Sequence, residues 1–229
     1  MSQSIVMHDL LKLNFDDLML AKSGRVIKLI QDKQPLNLST VTLYLPFGVS
    51  KYKKQWSAFE EYSVDCYIND SNNNTEYVSK LTEFNDHLFN LSKSNLQLFG
   101  LHQSVEVTNS PFYRDNKTFP KLLKLQLPRD QNGNFTTQFF DENSKRIIVN
   151  EQNIDTVLSK KTLFKSIITC SKVWAYQNKI GSIWNVLQLK LVPLSKNTEN
   201  SSDSEGGSEN DSHVSPVYNN TVYTQSLID

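Results

Sequence analysis

Apolar residues recur at every second position along several short segments of this chain, and this period constrains its fold more than any other feature. Residues 121–127 carry leucine at alternate positions, with lysine and glutamine between, as in a strand with one buried face. A polar turn follows, and its Asn132-Gly133 pair is the strongest hairpin signal in the sequence. Residues 135–140 are therefore predicted to form the partner strand.

A second pair of strands is predicted at residues 165–176 and 183–192, joined by a turn at residues 177–182. The clearest helical period lies in residues 78–91, where apolar side chains are three and four positions apart. Short strands, tight turns and one amphipathic helix predict a mainly β protein of the α+β kind. Its sheet is expected to form a Greek-key barrel or a small sandwich rather than a parallel α/β fold.

Charge is unevenly distributed along the chain, although the formal net charge of the 229 residues is +0. Residues 193–229 contain one lysine against six carboxylates, so they carry −5 and residues 1–192 carry +5. Residues 195–215 are rich in Ser, Asn, Glu, Asp and Gly, and they cannot bury enough apolar surface to offset the entropy of ordering. We therefore expect one domain at residues 1–192 and a disordered acidic tail at residues 193–229.

Two roles are open for this tail. It is either a solubilising segment, or an arm that mimics phosphates, competes for a basic groove and recruits partners. Residues 217–228 regain Tyr, Val, Leu and Ile, which is more typical of a short docking peptide than of a linker.

The sequence lacks the motifs of common catalytic sites. It has no P-loop, dinucleotide-binding glycine motif, nucleophile elbow or HExxH zinc motif, and its four histidines are too scattered for metal ligation. No apolar run approaches the ~18 residues of a membrane span. Cys66 and Cys170 stand alone in apolar segments, which predicts buried free thiols and a reducing compartment. We expect no enzyme activity, no cofactor, no metal and no membrane association.

Three stretches combine basic and aromatic residues, which is the combination that binding to a single-stranded nucleic acid requires. Lysine and arginine hold the phosphates, while exposed rings offer a flat face to each base. The basic candidates are Lys51, Lys53, Lys54, Arg129, Lys172 and Lys179. The aromatic candidates are Trp56, Trp174, Tyr176 and Trp184.

Each candidate also has a structural interpretation. Tryptophan is highly buried on average, so Trp174 and Trp184 are alternatively core residues. The lysine-rich loop at residues 51–54 is alternatively a solvated surface loop. Arg129 lies in a turn beside Asp130 and is alternatively a structural residue of that turn.

Four groups of residues, in order along the chain, resemble the single-stranded DNA-binding proteins of large cytoplasmic DNA viruses. The Asn- and Lys-rich composition is similar to the version carried by cytoplasmic linear plasmids of yeasts, which are virus-like elements replicated by a protein-primed DNA polymerase. The groups are residues 45–52; residues 62–65; residues 123–130 with 133–137 and 140–141; and residues 167–170 with Val173, Trp174, Lys179, Gly181 and residues 184–188.

The resemblance implies an OB-fold-type barrel that coats and protects single-stranded DNA during replication in the cytoplasm. It also implies self-association on DNA and contact of the tail with replication proteins such as the polymerase. Members of the family usually carry further aromatic residues after Trp174 and before Gly181, where this chain has Ala175 and Ile180. The alternative function is a structural or scaffold protein with a docking tail and no preference between single and double strands.

Overall fold

The computed structural model describes residues 6–55, 57–68, 74–116 and 120–193. The predicted tail beyond residue 193 and the predicted site residue Trp56 lie outside this range. The strands are β1 (His8–Asp9), β2 (Met19–Ser23), β3 (Val26–Gln31), β4 (Gln34–Pro35), β5 (Asn37–Ser39), β6 (Leu43–Tyr44), β7 (Val49–Tyr52), β8 (Glu61–Ile68), β9 (Thr108–Ser110), β10 (Tyr113–Arg114), β11 (Leu122–Leu127), β12 (Gln138–Phe140), β13 (Arg146–Ile147), β14 (Leu163–Tyr176) and β15 (Lys179–Val192). The helices are α1 (Thr75–Lys93) and α2 (Ile154–Val157), with 3-10 turns at Leu10–Lys12, Phe15–Asp17 and Leu96–Phe99.

Five of these strands close into a barrel. Strand β6 pairs with β8, and β8 pairs with β11, both antiparallel. Strand β14 then returns beside β6, which is the strand order of a Greek key. Strand β15 runs antiparallel to β14 and meets β11 in parallel, and this last pairing completes the ring. The mainly β prediction is confirmed, and the sheet is a Greek-key barrel of the OB type rather than a sandwich.

The hairpin formed by β14 and β15 is the longest element of the barrel. Each strand has 14 residues, and the pairing runs from Leu163 opposite Val192 to Tyr176 opposite Lys179. Gln177 and Asn178 form the turn with φ values of 47° and 58°, as a two-residue turn of type I′ requires. The turn is shorter than the predicted one, so β15 begins at Lys179 rather than at residue 183.

The other predicted hairpin is wrong in its pairing. Gly133 does lie in a turn, with a φ of 86°, but the segment after it does not return along β11. Strand β12 pairs with β13 and β15 instead, and a single bridge between Arg129 and Phe135 joins the two sides of the turn. The reason is geometric, because β8 and β15 already occupy the two edges of β11.

The predicted amphipathic helix is confirmed as α1, which covers one part of the barrel core. Its buried face includes Leu81, Phe84 and Leu88, and the Phe84 ring lies edge-on to Trp184, with centroids 5.8 Å apart. Cys66 and Cys170 are buried and free, as predicted. Within the described residues, no helix combines the length and the apolar character that a membrane crossing needs.

Candidate nucleic-acid interface

Most of the predicted binding residues that lie on strands are found on the outer face of the β14–β15 hairpin. Lys172 and Tyr176 are exposed, Trp174 is half-buried, and Val173 between them faces the core. Lys179 lies opposite Tyr176 and is also exposed. The Tyr176 residue is 68% exposed, so its ring is open to solvent. Period-two counting predicts a common face for Lys172, Trp174 and Tyr176, and the structure has them there. Lys179, which was predicted in the turn, instead begins β15.

The neighbouring strand β3 extends this face. Ile27 is buried and pairs with Val173 in antiparallel register, so Lys28 lies on the outer side next to Lys172. On the other side of Lys172 lies Ile183, its partner in β15, which is 36% exposed. The outer face thus combines cations, aromatic rings and one aliphatic side chain on rigid, paired strands.

Trp184 does not belong to this face, and the prediction that it stacks on a base is wrong. Its side chain is fully buried, its ring stacks on Phe112 at a centroid distance of 4.8 Å, and its Nε1 donates to Ser182 Oγ at 2.9 Å. Trp174 lies opposite Gly181, and Trp184 is three positions further along β15. An odd separation along a strand puts the two tryptophans on opposite faces of the sheet.

The lysine-rich loop at residues 51–54 overlaps the end of β7, and carboxylates partly neutralise it. Lys51 pairs with Asp155, and this hydrogen bond raises the pKa of Lys51 above its ordinary value, so the amine stays charged. Lys54 pairs with Glu61. Lys53 has no ion-pair partner in the described part of the chain.

The Arg129 side chain makes contacts with residues of three separate loops. Its side chain is 9% exposed, and the guanidinium contacts Glu151 at 2.5 Å and donates from Nε to the Gly133 carbonyl. It also packs on the Phe59 and Tyr62 rings, with its Cζ 5.0 and 5.3 Å from their centroids. These contacts favour the structural interpretation of Arg129 over the predicted phosphate contact.

A cleft of about 370 Å³ connects the lysine-rich loop with the hairpin face. In OB-type barrels, oligonucleotides and oligosaccharides bind on the face of the second and third strands and on the loops that join strands one to two and four to five. Here these strands are β8 and β11, and the loops contain the lysine-rich stretch and the Gln177-Asn178 turn. The lining of the cleft includes Lys54, Phe59, Glu61, Arg129, Ile183 and Asn185.

Two aromatic residues of the site were missed by the sequence analysis. Tyr52 is 65% exposed at the end of β7, and Phe59 is 37% exposed beside the cleft. Tyr52 lies within the basic stretch and could have been chosen by the same criterion as Trp56. Phe59 has no cation close to it in sequence, and only the fold brings Arg129 to its ring. In the described residues, no group of His, Cys, Asp or Glu side chains is arranged to hold a metal ion.

No family model and no curated protein matches the chain. Among solved structures, the chain is similar to the single-stranded DNA-binding protein of bacteriophage Enc34 in complex with ssDNA, at 10% identity and a TM-score of 0.46, over 79% of this chain and 98% of that one. It is also similar to gp2.5, a single-stranded DNA-binding protein encoded by bacteriophage T7, at 10% identity and a TM-score of 0.46, over 74% and 98%. At this level of similarity the function of the chain has to be inferred from its own surface.

Proposed function

We propose that this protein is a non-catalytic single-stranded DNA-binding protein and that the bound DNA lies along the outer face of the β14–β15 hairpin. The observation that carries the proposal is the position of Lys172, Trp174, Tyr176 and Lys179 on one exposed face. Each base that stacks on an aromatic ring contributes ~1–3 kcal/mol, and the lysines neutralise phosphates between the rings.

The distribution of paired and unpaired cations supports this path. Lys53, Lys172 and Lys179 have no carboxylate partner in the described residues, so their charge is available to phosphates. Lys51 and Lys54 form ion pairs at the surface, which contribute only ~0–1 kcal/mol. A phosphate can therefore displace Asp155 from Lys51 at small cost.

Rings on a flat strand face favour single strands over duplexes. The bases of a duplex are stacked on each other, so Tyr176 has no free base to contact unless the duplex melts. In a single strand the bases can turn towards the protein one by one. The hairpin is paired on both sides, with β3 beside β14 and β9 beside β15, so little entropy is lost when it binds.

The finer parts of the proposal are supported by the sequence resemblance. In this proposal the protein coats and protects replication intermediates of a cytoplasmic DNA element, such as a linear plasmid, and self-associates along the strand. Its tail contacts replication proteins, for example a protein-primed DNA polymerase. The tail lies outside the described residues.

The direct test uses the full chain and fluorescein-labelled oligo-dT, with fluorescence anisotropy as the readout. We expect tight binding at low salt, a steep loss of affinity as salt increases, and much weaker binding to a duplex of equal length. The matching oligo-rU measures the preference for DNA over RNA. No binding of oligo-dT at low salt would disprove the proposal, and equal affinity for the duplex would favour a scaffold protein without strand preference.

A further inference from the structure

The cleft next to the hairpin face differs in chemistry from the rest of the proposed path. It is bounded by the lysine-rich loop on one side and by the end of β11 and the middle of β15 on the other. Phe59, Pro128 and Ile183 supply apolar surface, and the carboxamides of Gln126 and Asn185 lie in register on adjacent strands. At about 370 Å³ the cleft is within the size range of sites for small ligands.

A single-stranded nucleic acid bound on the hairpin face leads directly into this cleft. Ile183 lies opposite Lys172 on the outer face and also lines the cleft. A chain of nucleotides that passes Tyr176, Trp174 and Lys172 in turn therefore arrives at the cleft without crossing another element of the barrel.

The charges of the cleft disfavour a phosphate there. Its lining contains Glu60, Glu61 and Asp130 against two cations, Lys54 and Arg129. Both cations already contact carboxylates, because Lys54 pairs with Glu61 and Arg129 pairs with Glu151. An additional phosphate would face an excess of negative charge, whereas a neutral base would find apolar walls.

The carboxylates of the cleft can only accept hydrogen bonds. Glu60 accepts from the Tyr62 hydroxyl through Oε2, and Glu61 accepts from Lys54 through Oε1. The other oxygen of each carboxylate has no donor among the described residues. An exocyclic amino group can donate to such an oxygen in a charge-assisted bond, whereas the O4 carbonyl of thymine or uracil at the same position would be repelled by it.

We propose that this cleft holds one unstacked nucleobase and prefers a base with an exocyclic amino group over thymine or uracil. The inference rests on the proposed function, since it gives the hairpin path a position that discriminates among bases. In this proposal the protein discriminates among bases at the one nucleotide in the cleft and binds the other nucleotides without regard to sequence.

The test compares oligo-dC with oligo-dU of equal length on the full chain by fluorescence anisotropy. Both are pyrimidine strands without a C5 methyl group, so they differ mainly at the edge of the base. We expect oligo-dC to bind about five- to tenfold more tightly than oligo-dU. In the double variant Glu60→Gln, Glu61→Gln the ratio is expected to fall to about one, because each amide can donate to a carbonyl as readily as it accepts.

The ratio of the two affinities is the readout, because Glu61→Gln also frees Lys54 and changes the affinity for both strands. Glu142→Gln is the matched control, since Glu142 is exposed and lies outside the cleft lining, and it should leave the ratio unchanged. Equal binding of both strands by the wild type, or a ratio that persists in the double variant, would overturn the base preference while leaving single-strand binding intact. Failure to bind either strand would overturn both proposals.

Discussion

The indole of Trp174 fills the space above Gly181, its partner across the hairpin. A Cβ atom on Gly181 would lie 2.8 Å from Trp174 Cε2 and 2.9 Å from the carbonyl oxygen of Ser110 in β9. Both distances are shorter than van der Waals contact. The missing side chain of Gly181 therefore allows the ring to lie close to β15 and β9.

Gly181→Ala is expected to displace the Trp174 ring and to lower the free energy of unfolding by ~1–3 kcal/mol, the usual cost of an added methyl group in a filled space. Urea denaturation followed by tryptophan emission measures both effects. In a Trp174→Phe background the smaller ring leaves part of this space empty, so the same substitution should cost less. An equal cost in the two backgrounds would contradict the contact.

Tyr176→Ala is expected to weaken binding to oligo-dT by about 5- to 100-fold, which corresponds to the loss of one stacked base. The free energy of unfolding should hardly change, because Tyr176 is 68% exposed at the tip of the hairpin. Anisotropy titration and urea denaturation measure the two quantities. Ile148→Ala is the control, since Ile148 is 75% exposed in another part of the surface and should affect neither.

Lys172→Gln is expected to reduce the slope of log Kd against log salt concentration by ~0.7, the contribution of one phosphate contact on a single strand. Titrations of oligo-dT at several salt concentrations give this slope. Lys145→Gln removes the same charge from an exposed turn between β12 and β13, and the slope should then stay at the wild-type value. Identical slopes for Lys172→Gln and the wild type would mean that Lys172 does not contact the strand.

Asp155→Asn is expected to tighten binding at low salt by up to about fivefold, because a phosphate then need not displace the carboxylate from Lys51. Without Asp155, the full charge of Lys51 is available to a phosphate, so more counterion is released from the nucleic acid and the salt dependence should become steeper. The same anisotropy titrations test both effects. Weaker binding would show that the ion pair orients Lys51 for its phosphate instead of competing with it.

The two buried thiols are expected to make the free energy of unfolding depend on pH in the alkaline range. Burial raises the pKa of Cys170 from its ordinary value of 9.0 to about 12, and burial also raises the pKa of Cys66. The unfolded chain therefore loses these protons at a lower pH than the folded chain does. The free energy of unfolding keeps the full contribution of the two neutral thiols below about pH 9, and this contribution is lost as the pH rises towards 12. Cys170→Ala should reduce the decline in unfolding free energy between pH 8 and 10.5, as measured by urea denaturation. An unchanged decline would exclude this contribution.

Local patterns predicted those parts of the molecule that depend on neighbours in sequence. The alternation from Lys172 to Tyr176 defines one strand face regardless of the fold, and the period of residues 78–91 defines the buried face of α1. In β15, however, both sets of alternate positions mix apolar and polar residues. Only the position of Phe84 and Phe112 determines that Trp184 faces inwards.

Pairing between distant segments could not be predicted in this way. Lys51 and Asp155 are 104 positions apart, so no local pattern shows that the amine is already neutralised. The Asn132-Gly133 pair signalled a turn correctly, but the partners of β11 are the distant strands that lie at its edges in the closed barrel.

The turn of Gln177 and Asn178 sets which side chains the hairpin shows to solvent and which it buries. Because strand side chains alternate, one residue gained or lost in this turn would shift the register between β14 and β15 by one position. Gly181 would then no longer lie opposite Trp174, and side chains such as Trp184 would be driven towards the solvent side. The length of this turn is thus constrained by the buried side of the hairpin as well as by its outer face.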